Sequence, residues 1–114
     1  MPFIHTLTTK KITDDVRKEL KTEYGKIIAE IPGKSEKWLM LAFTDETKMY
    51  FHGDDSDDCA YIEVNIFGGT SDDAYDRLTA RICALIAGKL NIPADRIYVK
   101  YGEAEHWGWN GSNF

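Results

Sequence analysis

The 114-residue chain is poor in cysteine, in basic charge and in long apolar runs. Its two cysteines, Cys59 and Cys83, are too few for a disulfide framework and lack the C-x-x-C spacing of redox and zinc motifs, so a reducing cytoplasm is the expected compartment. The longest apolar runs, Trp38 to Phe43 and Ile82 to Ala87, are far below the roughly 18 residues of a membrane span, and no membrane association is expected. The opening Met-Pro-Phe-Ile-His-Thr has neither the basic nor the apolar region of a secretory signal, so the N-terminus is expected to belong to the fold. Fourteen Lys and Arg against 19 Asp and Glu give a net charge of −5, and nucleic acid is not expected as a partner.

Ligand motifs are scarce as well. His52 with Asp54, Asp55, Asp57 and Asp58 lacks the glycine and closing glutamate of a calcium loop, and His5 and His106 complete no zinc or triad pattern. Gly68-Gly69 precedes a helix as a phosphate cradle would, but Asp72 and Asp73 would repel the phosphate, so a turn is expected. No metal and no cofactor is implied.

What is present is ordered secondary structure for one domain. Residues 3–7 read as a strand. Thr13 can cap a helix with Asp14 and Asp15 in its first turn, and Val16, Leu20, Tyr24, Ile27, Ile28 and Ile31 recur at helical spacing up to Pro32-Gly33. Residues 38–43 and 48–51 are predicted strands, and 61–66 alternates with period two. Ser71 can cap a second helix with its stripe at Leu78, Ile82, Leu85, Ile86 and Leu90, ending near Asn91. Residues 97–101 read as a strand, and 106–109 as a short one.

The two halves repeat. Ile31-Pro32 leads to Trp38 as Ile92-Pro93 leads to Ile97, which makes a β-α-β unit used twice, about residues 1–57 and 58–114, the natural reading. Right-handed crossovers place both helices on one face of a shared four-stranded mixed sheet, an α+β fold. The run 38–43 is apolar throughout, the pattern of a strand covered on both faces, yet two helices cover only one. An obligate oligomer, built as a ring of packed sheets, is therefore expected.

Met1-Pro2 is a start from which the initiator Met is normally trimmed, and its loss exposes the secondary amine of Pro2. An α-amino group titrates near 7.7–8.0, and burial or a nearby cation lowers that value and leaves a neutral base at pH 7. Lys34, after Pro32-Gly33, and Lys100, in an aromatic strand with Tyr98 and Tyr101, are the candidate cations; each can also be a solvated lysine. The tail Trp107-Gly108-Trp109-Asn110-Gly111-Ser112-Asn113-Phe114 concentrates aromatics at a terminus, where they need a docking place, either an interface or a substrate pocket.

These pieces together resemble the macrophage migration inhibitory factor family of the tautomerase superfamily. The resemblance covers the whole chain: Met1-Pro2 entering a strand, Gly33-Lys34, Cys59-Ala60, Pro93-Ala94-Asp95-Arg96-Ile97-Tyr98, and Gly108-Trp109-Asn110-Gly111-Ser112-Asn113-Phe114. It implies a homotrimer with active sites between subunits and cofactor-free keto–enol tautomerisation of phenylpyruvate-like aromatic α-keto acids, with dopachrome-type substrates as well. Pro2 would shuttle the proton and Lys34 would bind the substrate's carboxylate or carbonyl oxygen. Phe3, Tyr98, Trp109 and Phe114 would line the pocket, with Ile66 or Phe67 at its backbone donor. Members of the family also act as secreted ligands, leaving cells without a signal peptide, so a receptor is the partner under that alternative.

Departures from the family pattern are informative. Lys100 stands where many members have asparagine, and it either strengthens binding of an anion or fills the pocket. Phe67 and Trp107 are expected to narrow the site. Ile62 replaces the second cysteine of the C-x-x-C found in some members, so thiol-redox activity is not carried over.

Overall fold

The computed structural model describes residues 1–114. Four strands form the main sheet: β1 (Pro2–Thr8), β2 (Met40–Thr44), β3 (Ala60–Phe67) and β4 (Ile97–Ala104). Two helices, α1 (Asp14–Ile27) and α2 (Asp72–Leu90), connect β1 to β2 and β3 to β4, and the tail forms a hairpin of β5 (Gly108–Trp109) and β6 (Ser112–Asn113). The sheet order is β2-β1-β3-β4. β1 and β2 are parallel, β3 and β4 are parallel, and the central β1–β3 pair is antiparallel. Each half thus supplies one β-α-β unit, and the units meet back to back at the sheet centre.

The helices begin where their capping residues stand. Thr13 Oγ1 accepts from the Val16 N–H at 3.3 Å and Ser71 Oγ from the Ala74 N–H at 3.2 Å, each satisfying an otherwise unpaired first-turn donor. Beyond Ile27 the chain tightens into a 3-10 turn at Ile28–Glu30, and Asn91 closes α2 in the left-handed region. Leu20, Tyr24 and Ile27 of α1 and Leu78, Ile82, Ile86 and Leu90 of α2 pack on Ile4, Ile62, Val64 and Ile66 of the sheet in one core. Ile31 and Ile92, which precede the paired prolines, are both buried in it. No helix is long and apolar enough to cross a membrane.

Alternation along β1 and β3 buries one side chain in two against the helices, and the other, half-buried set lies on a face that no helix of the chain covers. β2 is an edge strand, and its first residue, Met40, is 68% exposed. The two-sided cover that its apolar pattern asks for is therefore absent within one chain. Two expected strands are corrected. Trp38 lies in a 3-10 turn, Glu36–Trp38, and Leu39 only caps it, so the strand starts at Met40. Residues 48–51 form no strand: only Phe51 makes a bridge, to Asp54, because no other strand of the chain passes beside the segment.

Candidate functional site

The N-terminus is built into the sheet. Pro2 is the first residue of β1, opposite Ile66 of β3, and is buried, whereas Met1 is only half-buried. Phe67 donates its N–H to the Met1 carbonyl at 3.1 Å, and its own carbonyl accepts from Lys34 Nζ, also at 3.1 Å. Gly33 makes this geometry accessible. Its φ of +81° turns the chain just after Ile31, whose carbonyl accepts from the Lys34 N–H, and sends Lys34 back across the end of β3.

Burial is the main reason that the terminal amine, here that of Met1, is lowered from 8.0 to about 6. The Lys34 charge and a hydrogen bond with the Lys34 side chain act in the same direction. The amine is consequently mostly neutral at pH 7.

Beside this terminus opens a cavity of about 620 Å³, within the size range of small-molecule sites. Met1, Pro2 and Phe3 form one wall, residues 37–40 a second, and residues 107–109 a third, with Asn65 between them. All three tryptophans of the chain, Trp38, Trp107 and Trp109, lie on it. Trp109 meets Trp38 edge to face at 5.1 Å and stacks on Phe114 at 6.1 Å, and Phe114 in turn lies 5.8 Å from Phe67. The tail is thus docked by its own chain. Its reversal is a two-residue turn with Asn110 at φ +52° and Gly111 at φ +90°, the left-handed pair that closes a tight hairpin.

The structure brings Pro2, Phe3, Trp107 and Trp109 to one cavity, with Lys34 and Phe67 behind the terminus and Phe114 against Trp109. Trp107 and Phe67 do not close the space. Within the single chain one alternative is resolved, and two of the expected residues lie away from the cavity. Of the two candidates for the backbone donor, Phe67 is the one whose N–H meets the N-terminus, at the Met1 carbonyl, while the Ile66 side chain is fully buried in the core. Tyr98 pairs through Tyr61 with Leu7, five positions or about 17 Å along β1 from Pro2, and packs on Phe51 instead. Lys100 lies 3.6 Å from the Glu63 carboxylate on the same helix-free face and does not converge with Lys34.

Lys37, Trp38, Leu39, Met40 and Asn65 line the cavity without having been singled out from the sequence. Nothing in their local spacing marks them, since the wall exists only where parallel pairing sets Met40 beside Phe3. The second hairpin strand had a readable signal in Asn110-Gly111.

Fold and site together define a doubled β-α-β chain that carries its own N-terminal amine, next to a lysine, at an aromatic cavity. The family model for macrophage migration inhibitory factor matches residues 1–114. The Xenopus laevis macrophage migration inhibitory factor is 31% identical, over 97% of each chain. The crystal structure of Leishmania major MIF2 superposes with a TM-score of 0.92 at 39% identity, covering 100% of this chain and 97% of that one. The homologue from Prochlorococcus marinus gives 0.81 at 29%, covering 98% of each. The chain belongs to the macrophage migration inhibitory factor family, a branch of the tautomerase superfamily, and that membership supports an isomerase activity in general.

Proposed function

We propose that the protein is a cofactor-independent tautomerase of phenylpyruvate-like aromatic α-keto acids, with the Pro2 amine as its base once Met1 is removed. The observation that carries this reading is the lysine ammonium beside a terminal amine held near 6, at the edge of an aromatic cavity. Removing a proton from the carbon next to a ketone leaves an enolate. The site therefore needs a base that is neutral at pH 7 and positive charge or N–H donors where the oxygen becomes negative.

With Met1 in place the Pro2 nitrogen is an amide and has no basic lone pair. Loss of Met1 turns it into a secondary amine and also frees the Phe67 N–H, which the Met1 carbonyl occupies. The neutral amine takes the proton from the carbon, and the enolate oxygen is stabilised by Lys34 and the released N–H. Water protonates that oxygen to give the enol, and the Pro2 ammonium returns its proton to solvent, so the net change is one proton moved from carbon to oxygen; in reverse, Pro2 delivers the proton to carbon and water takes the one on oxygen. The tryptophans hold the aryl ring.

The helix-free sheet face, the unpaired segment 48–51 and the distance of Tyr98 and Lys100 from the cavity favour a homotrimer as the working form, with those two residues supplied across a subunit boundary. A monomer by sedimentation, with full activity, would remove that part of the reading. The relatives' shared name favours a second role, in which the protein acts as an exported ligand for a receptor. That role requires the surface and not turnover.

The test is phenylpyruvate turnover by the Met1-free protein, by Pro2→Ala and by a form that retains Met1. Both altered forms are expected to lose about 10²–10⁴-fold in kcat/KM with an unchanged circular dichroism spectrum. Full activity in either removes Pro2 as the base, and receptor binding that survives Pro2→Ala assigns the second role to the surface.

A further inference from the structure

The cavity wall contains one charged side chain, Lys37, and no carboxylate. Lys37 sits in the Glu36–Trp38 turn, with its Nζ 5.3 Å from the centre of the Trp38 ring. It forms no ion pair, in contrast to Lys10, Lys26, Lys89 and Lys100, each of which has a carboxylate within 4.0 Å. Its neighbour Glu36 does not neutralise it: that carboxylate packs against Gly25 of α1, where a Cβ would have no room. Lys34, by contrast, is committed elsewhere, to the Phe67 carbonyl and the terminal amine, and is not part of the cavity wall.

We propose that Lys37 is the specificity residue that holds the carboxylate of the acid substrate, leaving Lys34 to the amine and the developing oxyanion. This inference rests on the tautomerase reading and divides between two lysines what one would otherwise do alone. The substrate class it selects is an aryl compound with a free carboxylate: the ring lies among the three tryptophans, and the acid group lies over Trp38 against the Lys37 ammonium. Glu36 is the acidic side chain of the turn, and Glu63 lies on the sheet face that no helix covers. The first faces α1 and the second pairs with Lys100, so neither competes for Lys37.

The test compares phenylpyruvate with its uncharged methyl ester on wild type, Lys37→Gln and Lys37→Arg. Because every tryptophan lines the cavity, tryptophan emission gives a dissociation constant independent of turnover. Loss of one charge-assisted hydrogen bond is expected to raise both Kd and KM for phenylpyruvate about tenfold in Lys37→Gln. The turnover number stays within about twofold, the ester is unaffected, and Lys37→Arg recovers most of the binding. An unchanged phenylpyruvate Kd in Lys37→Gln, or an equal loss for acid and ester, overturns the proposal. Should wild type bind phenylpyruvate through Lys37 without converting it, the tautomerase reading fails while the carboxylate role of Lys37 is upheld.

Discussion

Replacing Lys34 with Met should move the acidic limb of the pH–rate profile upward. A terminal amine lowered from 8.0 to about 6 is roughly nine-tenths neutral at pH 7, whereas one at 8.0 is roughly one-tenth neutral. Burial is the largest cause of the lowering and remains in the variant, while the Lys34 charge and hydrogen bond disappear. The variant amine therefore titrates between those limits. Removal of Met1 leaves the Pro2 amine at the same end of β1, next to the Phe67 peptide that Lys34 Nζ also binds, so the same causes are expected to act on it. The sign follows from the base acting as the neutral amine: activity rises as pH passes upward through the amine pKa and is flat above it. The assay is kcat/KM for phenylpyruvate between pH 5 and pH 9, in which the limb reports the free protein and is independent of the height of the plateau. Wild type should reach half its plateau near pH 6, and Lys34→Met should do so at higher pH on a lower plateau. The reasoning is refuted by a wild-type limb at 8, or by a lowered plateau whose limb has not moved, which would leave Lys34 with an oxyanion role only.

Three further outcomes test the framework that positions the site. Tyr24→Phe leaves the buried Thr6 hydroxyl without the partner it now has at 2.7 Å, and should cost about 1–3 kcal/mol in urea unfolding with the far-ultraviolet spectrum unchanged. Arg96→Lys cannot reproduce the donations that one guanidinium makes to the carbonyls of Asp54, Asp57 and Asp58; it should cost about 1.5–3 kcal/mol and accelerate amide exchange across residues 53–58. Gly111→Ala forces a Cβ into a φ of +90°, at about 1–2 kcal/mol, and exchange of the Phe114 amide, now bonded to the Trp107 carbonyl at 3.1 Å, should speed up.

The helices and the four main strands were legible because their signals are local, with β2 starting two residues later than its apolar run. Thr13 and Ser71 cap where expected, and the apolar stripes they open are the ones that are buried. The doubled β-α-β unit followed from the Ile-Pro pairs. Residues 48–51 carry a strand's composition but find no partner strand within their own chain, so composition alone misassigned them. Pro2, Lys34, Phe3 and the aromatic tail could be named from the sequence because each stands at a chain end or next to a punctuating glycine. Lys37 and Asn65 could not, since strand pairing and hairpin docking bring them to the cavity from distant segments. Tyr98 and Lys100 were correctly placed on one face of β4. What sequence alternation does not show is that they lie along that face well away from the end of the sheet where Phe3 and Asn65 line the chain's own cavity.

The central claim is that the Pro2 amine performs the chemistry. Its most direct test is graded covalent blocking of the N-terminal amine of the Met1-free protein, with intact mass and phenylpyruvate turnover read on the same samples. Residual activity should fall in proportion to the fraction of chains modified at Pro2 and vanish when all are modified. A fully blocked protein that still tautomerises phenylpyruvate at the unmodified rate would contradict the account.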